Sequence, residues 1–468
     1  MRRSWSRLTA GFIRSSVIAL ALSTSFVSSS PVCAAWITTS FQVYGVKSID
    51  APDWRDQEGE GMQPDEWKSM FREIENGLHQ IALEYQRIGF TDPITAGAID
   101  SLVEDDQGNK SVRVYLVNNP KYPYGWYSPG TPCARPTTSR RVFTLNLAKS
   151  LTNGRFNDIG FQTAAHELFH AIQYASPVFE ITDCSKSTWI TEGTADAISY
   201  YLARKLRNLQ FRDDLKKSDF LKVVGGRRYD QPINKPIKLK PGDETDAYLT
   251  SSFWRHLAEI YSLKTTRGLT SRIHPGAKPT PENYGYLVEL FGNPFSFRRN
   301  PAGEISWLNN FTTSKWYFNA PLSTIYSQFV ASIAGHTDHR LLPMLKEAKV
   351  EREISQEKWL NRIFDNCVDA GQITRNSTAK IKVKLNTNAS ECVAVKQNGT
   401  GNNAVVISVT HNDKALLKQL RMGMLDGTLE PAPVIDGKQP NAPSPHIAEW
   451  TFPMFGPYTK IFTVANMA

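Results

Sequence analysis

The chain has 468 residues, 41% of them hydrophobic and 21% charged, with a formal net charge of +9. That length is too great for one ordinary core and suits about two or three domains, and the composition excludes a disordered or low-complexity chain. Arg2, Arg3, Arg7 and Arg14 all fall near the start, so without that segment the charge drops from +9 to about +5; with no dense Lys/Arg run either, nucleic-acid binding is not expected.

The first expected element is a secretory leader over residues 1–34. MRRSWSRLTAGFIR is its basic start, SSVIALALSTSFV its apolar stretch, and VCA-AW offers small residues for cleavage after Ala34. The apolar stretch is shorter than the ~20 residues a membrane span needs, and no later stretch is apolar enough to cross a bilayer. The expectation is an exported protein, periplasmic or extracellular, with no stable membrane span. Once Cys33 leaves with the leader, Cys133, Cys184, Cys367 and Cys392 remain, an even number for an oxidising compartment. Of the alternative pairings, Cys133–Cys184 with Cys367–Cys392 is the simplest, because each closes a local loop.

Residues 36–372 read as one mixed α/β region. FQVYGVKSI alternates as an early strand, and Pro64 opens an amphipathic helix in which Trp67, Phe71, Ile74, Leu78, Ile81 and Tyr85 recur every three or four residues. Gly89 closes it. His79 on this helix has no ligand partner at helical spacing and is expected to be structural or surface-exposed. SVRVYLVNN is a Val-rich strand, PKYPYGWYSPGTPCARP an ordered loop, and RVFTLNLAKSL another strand. The run IGFQTAAHELFHAIQYAS then forms a helix, with Asn157 or Asp158 as N-cap, Ala165, Phe169 and Ile172 on its core side, and Pro177 as its stop. After a loop comes a second helix, TWITEGTADAISYYLARKLRNL, headed by Trp189 as a packing residue. Further helices follow in TDAYLTSSFWRHLAEIYS, ENYGYLVELFG and LSTIYSQFVASIAG.

From residue 373 to residue 468 the character changes. AKIKVKLNT, ECVAVKQN, NAVVISVTHN, HIAEWTF and YTKIFTVANM are short alternating segments split by Asn, Gly and Pro turns. That pattern predicts a C-terminal antiparallel β-sandwich.

The chemistry concentrates in His166-Glu167-Leu168-Phe169-His170. Residues four apart on a helix project from one face, so His166 and His170 can grip one Zn²⁺ while Glu167 serves as general base on an activated water. Glu192 follows His170 by 22 positions, on the next predicted helix. A helical hairpin of that length can fold it back to complete a set of two histidines and one glutamate. His274, His336, His339, His411 and His446 lie in loops or in the C-terminal module without a carboxylate or cysteine companion that would suggest a second site.

HELFH followed by WITEGTADAISYY resembles the gluzincin metallopeptidases, whose prototype is thermolysin. More loosely, the order of elements over about residues 65–265 is similar to secreted bacterial metallopeptidases of that clan. The resemblance implies one catalytic Zn²⁺ held by His166, His170 and Glu192, with Glu167 as base and Asp196 as a carboxylate orienting one histidine through its distal N–H. It further implies an oxyanion donor downstream, for which Tyr248 is the candidate and His256 the runner-up. RVFTLNL would stand where the clan has its substrate-binding edge strand. The fold expected is thus α+β: a thermolysin-like zincin catalytic domain, with a small sheet over a helical hairpin, followed by the β-sandwich. The function expected is hydrolysis of peptide bonds in a peptide or protein substrate. The alternative is a catalytically silent secreted binding protein whose C-terminal module mediates interaction; the intact Glu167 argues against it, because a scaffold has no use for the base.

Overall fold

The strands and helices follow from two periodicities. In the computed structural model, Val112, Val114 and Leu116 of the third strand are fully buried while Ser111, Arg113 and Tyr115 between them are half-buried, so one face of the sheet is core. The first helix buries Met70, Ile74, Leu78, Ile81, Ala82 and Tyr85 at three- and four-residue spacing and ends where expected: Gly89, at φ 107°, donates to Tyr85 O and Gln86 O, and Phe90 N to Tyr85 O. The structure describes residues 41–44, 64–96, 99, 102–104, 106–108, 110–117, 125–128, 142–146, 151–152, 155–176, 188–207, 229, 231–234, 247–267, 282–292, 303–334, 364, 367–373, 388–397, 403–411, 420–425, 446–454 and 459–466.

In chain order, β1 (Phe41–Tyr44) and α1 (Pro64–Ile88) precede β2 (Leu102–Glu104), β3 (Lys110–Val117), β4 (Gly125–Ser128) and β5 (Val142–Asn146). The short pair β6 (Leu151–Thr152) and β7 (Arg155–Phe156) leads into α2 (Asp158–Ala175), which is followed by α3 (Thr188–Arg207). A 3₁₀ turn, Tyr248–Thr250, runs straight into α4 (Ser251–Arg267). Then come α5 (Gly285–Gly292), α6 (Glu304–Thr313) and α7 (Leu322–Ala334). The last six strands are β8 (Val368–Ile373), β9 (Ala389–Gln397), β10 (Asn403–His411), β11 (Leu420–Leu425), β12 (His446–Met454) and β13 (Thr459–Asn466). The architecture is mixed helix and small sheet, α+β.

The first sheet runs β1-β3-β5-β4, with β2 pairing the first half of β3. β1, β3 and β5 are parallel, and β4 is antiparallel to β5. This corrects the sequence in one respect: RVFTLNL supplies β5, an interior strand paired on both sides. The order ends at β1 on one side and at β4 on the other, and β4 is drawn from a stretch that sequence alone reads as loop. α1 packs against β1, α2 against β4 and β5, and the two helices touch each other. Two carboxylates of α1 fasten the neighbouring backbone: Glu75 Oε1 accepts from Val43 N at 2.9 Å, and Glu73 Oε2 from Phe156 N at 3.1 Å. β7 and the start of α2 are thereby held to α1.

Toward the C-terminus, β11-β13-β9-β8 form one sheet and β10-β12 another. The pairings are antiparallel except β8 with β9, which is parallel, so the larger sheet is mixed. It begins at Val368, a few residues ahead of the expected boundary at 372/373. α7 packs on β11 and β13, and Ser390 N donates to Tyr229 O at 2.7 Å. Cys367 and Cys392 are disulfide-bonded with Cα atoms 4.7 Å apart, whereas Cys133 and Cys184 lie outside the described residues. None of the described helices is long and apolar enough to cross a membrane.

Candidate metal centre

α2 starts at Asn157, whose side chain accepts from Gly160 N at 2.6 Å; Asp158 then meets the positive end of the helix dipole. From Ala164 to Gln173 almost every residue is buried, so this is an interior helix with no solvent face along that run. Its back rests on an aromatic cluster. The Phe169 ring lies 5.6 Å from Tyr85, 5.3 Å from Phe90 and 6.1 Å from Phe291, and the Tyr85 hydroxyl donates to Ala165 O at 2.7 Å. Truncating Phe169 to Ala would cost about 3–5 kcal/mol on this burial alone. Opposite that cluster, the imidazoles of His166 and His170 stand edge to face with centroids 4.6 Å apart, as residues four apart on a helix should.

α3 supplies the third donor. Glu192 Oε2 lies 3.2 Å from His166 Nε2 and 3.4 Å from His170 Nε2, and ligand atoms of the three residues all fall within 4.8 Å of one another. Both imidazoles therefore turn Nε2 toward the same carboxylate. Their other nitrogens are held from behind: His166 Nδ1 is 2.8 Å from Asp196 Oδ1, and His170 Nδ1 is 2.8 Å from Gln173 Oε1. Asp196, one helical turn beyond Glu192, is the residue that the resemblance implies as a histidine-orienting carboxylate. Gln173 is a residue the sequence did not single out. Its signal was available in the three-residue spacing from His170, but the acceptors that orient its amide come from another helix.

The electrostatics follow from burying two rings among three carboxylates. Burial alone would lower the pKa of His166, but its hydrogen bonds to Asp196 and Glu192, with the charges of Asp196 and Glu167, override that and hold it well above its ordinary 6.5. His170 is raised in the same way: burial lowers it, and the charge of Glu192 outweighs the burial. Glu192 sits well below the usual carboxylate range because the two imidazoles outweigh its desolvation. Asp196 goes up, since burial there outweighs the pull of His166.

Tyr248 reaches the site: its ring is 5.9 Å from that of His166. The turn carrying it is pinned to α3 by packing. Trp189 O accepts from Thr250 Oγ1 at 2.8 Å and from Trp254 Nε1 at 2.9 Å, while the Trp189 indole donates to Glu304 Oε2. Trp189 is thus a fully buried packing residue. Gly193 lets these elements close: a Cβ there would lie 2.7 Å from the Trp254 indole and would overlap Thr250 Oγ1. His256, the runner-up to Tyr248, turns elsewhere, with its ring 5.4 Å from Phe329. His79 is exposed on α1. His411 and His446 are register partners at one end of the β10–β12 pair, and His274, His336 and His339 lie outside the described residues.

The donor set fits a zinc ion. Two imidazole nitrogens and one carboxylate converge, each imidazole is oriented through its far nitrogen, and an ion held by three protein donors keeps a coordination position for water or substrate. Among the described residues this is the group of histidine and carboxylate side chains that could hold a metal. No protein family, curated protein or solved structure matches the chain.

Proposed function

We propose that this chain is an exported zinc metallopeptidase of the gluzincin type, hydrolysing peptide bonds in a peptide or protein substrate. The observation that carries the proposal is the convergence of His166, His170 and Glu192 ligand atoms within 4.8 Å, with Glu167 on the same helix between the histidines. On this reading the β1–β5 sheet with α2 and α3 is a thermolysin-like catalytic domain, and the strands from β8 onward form the C-terminal sandwich. The secretory pattern over residues 1–34 and the Cys367–Cys392 bond are consistent with export.

Bound zinc would supply Lewis acidity, activating water as a nucleophile near neutral pH and polarising the carbonyl under attack. Glu167 would take a proton from the attacking water and deliver it to the leaving amine, acting first as base and then as acid. Asp196 holds His166 with Nε2 forward. Tyr248, on the turn beside His166, is the candidate donor to the oxyanion that develops at the carbonyl. An extended substrate would add to the sheet along β4, the end strand that packs directly against α2.

The test is zinc content and cleavage of casein or a peptide library, wild type beside Glu167→Gln. The expected result is one zinc per chain in both, and cleavage by the wild type only. A wild type that binds no zinc, or a Glu167→Gln variant that cleaves as fast, would overturn the proposal.

A further inference from the structure

We infer that Gln173 is a positioning residue that fixes the tautomer of His170 and ties that imidazole to the helix carrying Glu192; the inference rests on the metal centre proposed above. Gln173 is 1% exposed. Its Nε2 donates to Thr191 O at 2.9 Å and to Thr194 Oγ1 at 2.8 Å, both on α3. A main-chain carbonyl can only accept. The Thr194 hydroxyl spends its own proton on Ile190 O, 2.7 Å away, so toward Gln173 it too is an acceptor. The amide therefore has one orientation. Flipped, it would set its oxygen against a carbonyl oxygen at 2.9 Å, with no proton between them.

With Nε2 committed to α3, Oε1 is what faces His170 Nδ1 at 2.8 Å. An amide oxygen has no proton to give, so Nδ1 must carry one. The neutral ring then has its lone pair on Nε2, the nitrogen 3.4 Å from Glu192 Oε2. One side chain thus does two jobs. It selects the ring nitrogen that faces the cation, and it sets that ring by the backbone of Thr191, the residue immediately before Glu192. A shift of α3 that displaced Glu192 would drag the amide and re-aim His170 with it. The two histidines are also supported unequally, His166 by the carboxylate of Asp196 and His170 by a neutral amide. A carboxylate in both places would bury one more negative charge beside Glu167, Glu192 and Asp196, and the amide gives the same direction without it.

The first measurement needs no variant. In zinc-loaded wild type labelled with ¹⁵N-histidine, long-range ¹H–¹⁵N correlations should show His170 protonated at Nδ1 and ligating through Nε2. Second, Gln173→Met keeps the length and removes both hydrogen-bonding atoms. Its zinc affinity, read by competition with a chromophoric chelator, should fall about 10- to 100-fold, the usual cost of losing a partner to a metal-bound histidine. The Co²⁺-loaded variant should show altered d–d bands, and kcat should drop with KM little changed. Gln173→Glu retains an acceptor for His170 but no donor for Thr191 O, and should restore part of the zinc affinity lost in Gln173→Met. Ligation of His170 through Nδ1, or a Gln173→Met variant binding zinc within about twofold of wild type, overturns the role of Gln173 alone. A wild type that binds no zinc overturns the metal centre and this role with it.

Discussion

Gly193→Ala sets two physical effects of opposite sign against each other. On the intrinsic helix scale, replacing an interior glycine by alanine gains about 1 kcal/mol. The surroundings oppose it, because the new Cβ would stand 2.7 Å from the Trp254 indole and inside the contact distance of Thr250 Oγ1. Neither neighbour has room to retreat, since both are fully buried and hydrogen-bonded: the Trp254 indole donates to Trp189 O at 2.9 Å, and the single proton of the Thr250 hydroxyl has Trp189 O at 2.8 Å and Ala247 O at 2.7 Å as acceptors. Overpacking of this kind costs about 1–3 kcal/mol, and each displaced neutral hydrogen bond about 1 kcal/mol more. With two such bonds at risk and the helix gain subtracted, the net expectation is a loss of about 2–4 kcal/mol. The assay is urea unfolding of chelator-treated protein, wild type beside Gly193→Ala and Gly193→Ala/Thr250→Ala. The second variant removes the colliding oxygen and should recover part of the loss. Because Tyr248 lies two residues before Thr250, Gly193→Ala should also lower kcat while zinc stoichiometry stays at one. A Gly193→Ala protein as stable as wild type, or more so, would refute the close approach of α3 to the Tyr248–Thr250 turn.

Zinc binding should release protons, because His166 and His170 are both held above their ordinary 6.5 and must ligate unprotonated. Calorimetry in two buffers of different ionisation enthalpy measures the number released, and zinc affinity should rise with pH through the raised values. The same shifts make the chelator-treated fold more stable below about 6.5, a contribution lost as pH rises through the raised folded-state values; urea midpoints against pH check the sign. The Cys367–Cys392 bond spans 25 residues of sequence, so replacing both cysteines by Ser should cost about 3.5 kcal/mol on the loop-entropy scale. Zinc affinity should be unaffected, as none of the site residues lies beyond Tyr248.

What the sequence made legible was whatever depends on spacing within one element. His166 and His170 meet because four residues make one turn of helix, and Asn157 caps because its short side chain reaches Gly160 N. The burial of Ile74, Leu78, Ile81 and Tyr85 follows in the same way from the period of α1. Contacts between elements were harder. GWYS in β4 lies amid Pro and Gly, which mark a loop locally; it becomes a strand because β5 offers it an antiparallel partner. β8 and β11 are six residues each with a glycine inside, a weak local signal, and they are completed by their neighbours, β9 and β13. Gln173 belongs to the same class. Its spacing from His170 is local, but the two acceptors that orient its amide, Thr191 O and Thr194 Oγ1, come from another helix. Only the packing of α2 on α3 makes the side chain decisive.

That packing also explains how three carboxylates and two imidazoles can share one buried place. Glu167, Glu192 and Asp196 crowd the histidines with negative charge, which alone would be unfavourable in the interior. The imidazoles answer it: their pKa values rise, Glu192 falls well below the usual carboxylate range, and Nε2 of each ring faces Glu192. Those nitrogens and Glu192 would hold a divalent cation, whose two charges would take the place of up to one proton on each ring. Such an exchange would leave the charge of the site nearly unchanged. Gln173 and Asp196, which face the two Nδ1 atoms at 2.8 Å, would confine that exchange to the side of the rings that faces Glu192.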